Sequence, residues 1–242
     1  MYKRIIGLIL INSGIVCRTR NFQSDYMYTH EFIDSKYFDE IICVDVSQER
    51  SEKSHRLFLN GIEKIMEHSQ LPLAIGGGIR SIDDIRRYRK FGADRYVINQ
   101  TEAESDSFVA EAIKEFGKSS IISSINHWGD LTFSNRATSK KVLQQRVSEI
   151  FNNRGSELLL NSVERDGTLL GFDNTNAMSI ANTYDLPLII SGGVGRWSHV
   201  LDTLQIENVD AVCTSNIYHL TTKTISTWRS EVKTKGGNVR TV

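Results

Sequence analysis

Short apolar runs alternate with longer, mostly polar stretches along the chain. "RIIGLILIN", starting at Arg4, opens the series: Ile5, Ile6, Leu8, Ile9, Leu10 and Ile11 follow one another almost without interruption, and Asn12-Ser13-Gly14 then supplies turn chemistry. A run of this length without polar alternation is the pattern of a strand buried on both faces. Further runs lie at Glu40–Val46, Pro72–Ile75, Arg95–Asn99, Ile121–Asn126, Glu157–Val163, Pro187–Ser191 and Asp210–Ser215. Helix-like segments such as "SIDDIRRYRKFG" and "KKVLQQRVSEIFNNRG" stand between them. In the second, Val142, Leu143, Val147 and Ile150 share a helical face, and Gly155 stands where a helix stop belongs. Eight βα units in 242 residues predict the α/β class and a closed (β/α)8 TIM barrel, with residues 1–242 as a single domain. "WGDLTFSN" (Trp128–Asn135) breaks the rhythm and reads as a small hairpin after the fifth strand.

An internal echo divides the chain in two. "LPLAIGGGIRS" from Leu71 returns as "LPLIISGGVGRW" from Leu186, and Glu40 before "IICVD" returns as Glu157 before "LLLNS". Both pairs are separated by about half the chain, which predicts two similar half-barrels.

Composition narrows the function. With 29 basic and 29 acidic side chains the net charge is zero, which gives no reason to expect a nucleic-acid or anionic-membrane partner. No apolar stretch approaches the ~18 residues of a membrane span. The basic pair before the first apolar run superficially suggests a signal peptide, but the run is short, β-branched and lacks a small-residue cleavage site. Cys17, Cys43 and Cys213 are widely spaced with no CxxC, so idle thiols in a reducing cytoplasm are expected. No metal site and no cofactor are expected.

The glycines carry the first chemical signal. Gly76–Gly78 end the third strand and Ser191–Gly193 end the seventh, where backbone with positive φ can approach a ligand closely. Loops after barrel strands seven and eight form the usual phosphate cradle of this fold. Two such loops half a barrel apart suggest a ligand phosphorylated at both ends; tight turns alone are the plainer alternative. "SVERDGTLLGFD" (Ser162–Asp173) adds a turn at Asp166-Gly167-Thr168, with backbone donors and a hydroxyl.

These motifs together carry a family resemblance. "KRII" at Lys3–Ile6, "GGGIRSIDDIR" at Gly76–Arg86, "GADRYVIN" at Gly92–Asn99, "RDGTLLGFD" at Arg165–Asp173 and "SGGVG" at Ser191–Gly195 resemble the cyclase-subunit family of imidazole glycerol phosphate synthase, the HisF-like barrels, over essentially the whole length. The resemblance implies one phosphate site at Gly78 and Asn99, and a second at Asp166, Gly167, Gly193, Ser215 and Asn216. Gln100 stands where the family usually has a small hydroxyl residue. The family's chemistry uses two aspartates as acid and base, on the first and fifth strands. The matching positions here are Leu10 and Asn126, neither of which exchanges a proton near neutral pH. Arg18 replaces the family's loop lysine. Asp45 and then Asp166 are the remaining carboxylate candidates, and His127 is expected to face away from Asn126. Asn161 occupies a strand-six position where a hydroxyl residue is usual.

Other family positions are kept. The resemblance implies a ring of charges closing the amino-terminal end of the barrel, where ammonia enters from a docked HisH-like glutaminase. Arg4, Glu40, Arg95 and Glu157 match that ring with the family's charge signs, and Asp94 matches a position that contacts the glutaminase. HisF-like barrels with an apolar residue in place of the first-strand aspartate occur in surface-polysaccharide clusters. For these the resemblance implies ammonia delivery to an ATP-dependent sugar amidotransferase. The first expectation is therefore an ammonia-conducting subunit. The alternatives are a cyclase with displaced catalytic groups and a non-catalytic barrel that binds a phosphorylated ligand.

Overall fold

The structure is a computed structural model that describes residues 2–28, 37–49, 51–67, 69–99, 106–128, 131–132, 140–152, 157–215 and 225–241. Eight parallel strands close on themselves: β1 (Arg4–Asn12), β4 (Glu40–Asp45), β5 (Leu73–Gly76), β6 (Arg95–Asn99), β7 (Ile121–Trp128), β9 (Glu157–Ser162), β10 (Leu188–Ser191) and β11 (Val209–Thr214), with β11 returning to β1 through Arg4↔Ala211 and its neighbours. Around them lie seven α-helices among the described residues: α1 (Glu52–Met66), α2 (Ile82–Phe91), α3 (Asp106–Phe116), α4 (Lys140–Asn152), α5 (Asn174–Ala181), α6 (Trp197–Leu204) and α7 (Ile225–Thr234). The expected (β/α)8 architecture is the one observed.

Two-sided burial explains the unbroken apolar runs. On β1, Ile6 and Leu8 pack inside the barrel, while Ile5, Ile9 and Ile11 join the layer between strands and helices. Local signals then set the helix ends. Ser81 and Asp84 form a reciprocal capping box on α2, which stops at Gly92 with φ 107°. Leu143, Val147 and Ile150 of α4 are buried together. Gly155 and the side chain of Val142 lie outside the described residues.

The repeat has a structural counterpart. Gly77 and Gly192 both adopt positive φ, at 97° and 100°. A Cβ on Gly77 would stand 2.3 Å from the Asp45 carbonyl oxygen, and one on Gly192 2.5 Å from that of Ser162. Gly77 after β5 thus sits on the end of β4, and Gly192 after β10 on the end of β9. Backbone contact alone demands glycine at both positions.

Two hairpins interrupt the βα rhythm. After the fifth barrel strand, β8 (Leu131–Thr132) pairs back on β7 through Trp128↔Leu131, within the stretch expected to insert; residues 133–139 lie outside the description. The first βα unit departs from expectation. Strand β1 is followed by β2 (Ile15–Arg20) and β3 (Gln23–Tyr28), an antiparallel ribbon paired to β1 through Leu10↔Cys17. Its turn, Asn21-Phe22, holds φ of 53° and 62°, the double positive φ that suits a two-residue hairpin.

No helix among the described residues is long and apolar enough to cross a membrane.

Candidate functional site

The base of the barrel is closed by four charged side chains. Arg4, Glu40, Arg95 and Glu157 are the first residues of β1, β4, β6 and β9, so their inward side chains meet at one end. Each arginine bridges both glutamates. Arg4 Nη1 donates to Glu40 Oε2 at 2.8 Å and its Nη2 donates to Glu157 Oε1. Arg95 Nη1 donates to Glu40 Oε1 at 3.0 Å, and its Nη2 to Glu157 Oε2 at 2.6 Å. A further bond from Arg95 Nε to the Ser119 carbonyl, 3.1 Å, fixes that arginine from outside.

Burial and pairing oppose each other in this ring. Both glutamates are almost fully buried, and burial pushes the Glu40 pKa up against the pull of Arg95 and Arg4. Burial also works against the Arg4 charge, but Glu157 and Glu40 outweigh it and hold its pKa above the ordinary value. A closed alternating ring is how four charges are tolerated at one narrow place.

Above the ring the axis is apolar. Two residues along each strand, Ile6, Ile42, Val97 and Leu159 point the same way, and with Ala74, Ile122, Ile189, Ala211 and Cys213 they fill the interior. The side chain of Asp94, next to Arg95, accepts the Leu73 N–H at 2.9 Å, and the residue is exposed at this lower end.

The opposite end opens into a cavity of about 250 Å³. Leu10, Asn126, Asp45, Gly78, Asn99, Asp166, Gly167, Gly193 and Ser215 all line it. Asn216 and Gln100 lie outside the described residues. The N–H groups of Gly167 and Gly193 donate to no described residue, although a Cβ on Gly193 would also clash with the Gly171 carbonyl oxygen at 2.3 Å. Backbone packing by itself therefore accounts for that glycine.

No carboxylate stands at the two positions where the resemblance calls for acid and base. Asn126 Oδ1 accepts from Asn161 Nδ2 at 3.0 Å, and Asn161 Nδ2 also reaches Ser124 Oγ at 3.1 Å. His127 turns outward, fully buried, with Nδ1 3.9 Å from Asp173 Oδ2. Asp45 Oδ1 accepts the Ser47 N–H at 2.9 Å. Arg18 is paired across the hairpin, its Nε 2.9 Å from Asp25 Oδ2, and is absent from the cavity wall.

Thr19 and Phe22, at the tip of the β2–β3 ribbon, also line the cavity. Sequence reasoning missed them; the usable signal was the β-branched content of Ile15–Arg20 (Ile15, Val16, Thr19) followed by Asn21. Asp166 Oδ2 holds the tip through Thr19 Oγ1 at 2.6 Å and the Phe22 N–H at 3.0 Å. Burial raises the Asp166 pKa, and the bonds from Thr19 and Phe22 offset only part of that rise. The folded protein thus binds this proton more tightly than the unfolded chain does. Stability from this group is full below the ordinary carboxylate pKa and falls as pH rises through the elevated folded value. Hydrogen exchange across Ile15–Tyr28, corrected for intrinsic rates, is expected to quicken over that window, and Asp166→Asn to abolish the step. Protection that is flat with pH in the wild type contradicts this.

Comparison with known proteins gives the family. A model described as "Histidine biosynthesis protein" matches residues 7–224. The imidazole glycerol phosphate synthase subunit HisF of Staphylococcus carnosus (strain TM300) is 30% identical over 251 aligned residues, covering 98% of each chain. The chain belongs to the histidine biosynthesis protein family, as a HisF-like barrel. This HisF-like barrel combines a closed charged ring at its base with a cavity whose two candidate acid–base positions are a leucine and an amide.

Proposed function

We propose that this HisF-like barrel conducts ammonia rather than cyclising a ribonucleotide. In this reading a HisH-like glutaminase docks on the lower face near Asp94 and releases ammonia at the ring of Arg4, Glu40, Arg95 and Glu157. The ammonia crosses the apolar axis and leaves through the upper cavity to an acceptor enzyme, a sugar amidotransferase of surface-polysaccharide synthesis. The observation that carries the proposal is the contrast between the two ends. The base keeps four mutually paired charges, while Leu10 and Asn126 leave the mouth without its proton carriers. An apolar axis suits this traffic, because neutral ammonia enters it cheaply and an unpaired ammonium ion does not. The glycine loops with Gly78 and Asn99, and with Asp166, Gly167, Gly193 and Ser215, would hold a phosphorylated ligand at the mouth.

The relative's identity as a synthase subunit supports a second reading, cyclisation by this chain itself. It requires an acid and a base from Asp45 and Asp166, and both are already engaged in holding loops.

Association tests the first step. Purified barrel is expected to co-elute with a HisH-like glutaminase. Asp94→Asn keeps an acceptor for the Leu73 N–H but removes the charge. It is expected to weaken the complex about tenfold, equivalent to ~1.4 kcal/mol. No complex at micromolar concentrations would contradict docking.

A further inference from the structure

The amide pair beside the apolar axis has hydrogen-bonding capacity that the protein leaves unused. Asn126 on β7 and Asn161 on β9 are register partners. Asn161 Nδ2 commits its hydrogens to Asn126 Oδ1, 3.0 Å, and Ser124 Oγ, 3.1 Å. In this arrangement nitrogen donates and oxygen accepts, and turning both amides over, with the Ser124 hydroxyl as donor, would equally leave one donor group and one acceptor over. What remains is one acceptor, Asn161 Oδ1, and one donor group, Asn126 Nδ2. Neither has a partner among the described residues, and both residues line the cavity. Along β9, Asn161 stands two residues beyond Leu159, on the same inward face. The pair is thus the first polar group met on that strand above the apolar interior.

A neutral donor beside a neutral acceptor selects its ligand by lone pairs. Free ammonia offers a lone pair to Asn126 Nδ2–H and N–H groups to Asn161 Oδ1. Ammonium has no lone pair, so it can satisfy only the acceptor and leaves the Asn126 donor facing its positive charge. A carboxylate at position 126 would invert this preference. It accepts only, stabilises the cation, and keeps the nitrogen protonated and non-nucleophilic. We propose that Asn126 and Asn161 form a binding site for free-base ammonia at the floor of the cavity, which holds the nitrogen in its nucleophilic form at the exit of the axis. The inference rests on the ammonia-conducting reading and assigns that reading its exit residues.

Other titratable groups on the cavity wall leave this preference intact. Asp45 lies on β4, across the barrel from β9, and accepts from Ser47. Asp166 is occupied by Thr19 and Phe22. The Cys213 thiol is neutral, because burial pushes its pKa well up.

The test uses the full chain and ammonium chloride as the probe. Side-chain amide proton–nitrogen correlations of Asn126 and Asn161 are followed during titration, once on the alkaline side of the ammonium pKa and once near neutrality, against matched sodium chloride. The wild type is expected to show saturable shifts of both amides at alkaline pH and none near neutrality. Asn126→Asp is expected to move the response of Asn161 to neutral pH, where the cation is the ligand. Asn161→Leu is expected to abolish the Asn126 response, and serves if the aspartate variant does not fold. Unmoved amides at alkaline pH in the wild type, or equal responses at both pH values, overturn the site. Shifted amides in a barrel that binds no glutaminase would keep the site and remove the conduit; forwarded nitrogen with unmoved amides would do the reverse.

Discussion

Arg95→Met is expected to destabilise the barrel by about 3–5 kcal/mol, the cost of leaving buried charges without their partner. The side chain touches both Glu40 and Glu157 and is tied to the Ser119 carbonyl. Its loss leaves Arg4 alone to compensate two carboxylates whose side chains are only 4% and 6% exposed. Urea denaturation measures the change. Adding Glu40→Gln and Glu157→Gln to the Arg95→Met protein removes the uncompensated charge and is expected to restore more than half of the loss. Arg4→Met is expected to cost less, because Arg4 is more exposed, at 28% against 16%, and lacks the third anchor. Equal stability of wild type and Arg95→Met would show that the four charges are solvated separately rather than joined in a ring.

Cyclisation of the imidazole glycerol phosphate synthase ribonucleotide with ammonium is expected to be lower than in a HisF barrel with both aspartates by about 10⁴-fold or more. General acid–base catalysis contributes ~10²–10⁴ per group, and two groups are missing here. Neither replacement offers a substitute: Leu10 has no proton, and Asn126 is a neutral amide bonded to Asn161. Nor does His127 reach the cavity, since it faces the helix layer near Asp173. Single-turnover assays with product detection measure this. Turnover within tenfold of a HisF enzyme would mean that Asp45 or Asp166 has taken over proton transfer.

Much of this architecture was legible because the barrel writes it in one dimension. The ring residues Arg4, Glu40, Arg95 and Glu157 were marked by the family resemblance; position at a strand start does not by itself send a side chain inward, since Leu73, Ile121 and Leu188 also open strands and pack on the helix side. Gly77 and Gly192 were visible as a repeat, although their reason, contact with the Asp45 and Ser162 carbonyls, needed coordinates. The β2–β3 ribbon was hidden. Its turn places Phe22, rather than glycine, at positive φ, and a distant residue, Asp166, holds the Phe22 N–H in place. The Asn126–Asn161 pair was equally invisible, because it depends on the register between β7 and β9. Each asparagine alone looked like a lost functional residue; together they make a defined neutral polar site.

Nitrogen tracing tests the conduit most directly. The barrel, its glutaminase and the acceptor amidotransferase are supplied with glutamine labelled at the amide nitrogen, in a large excess of unlabelled ammonium. Product nitrogen drawn mainly from glutamine in the wild type, and diluted by bulk ammonium when Arg95 is replaced, is the result expected of a sealed path through the ring. Product whose label matches the bulk pool from the outset would mean that ammonia reaches the acceptor through solvent and that the barrel carries none.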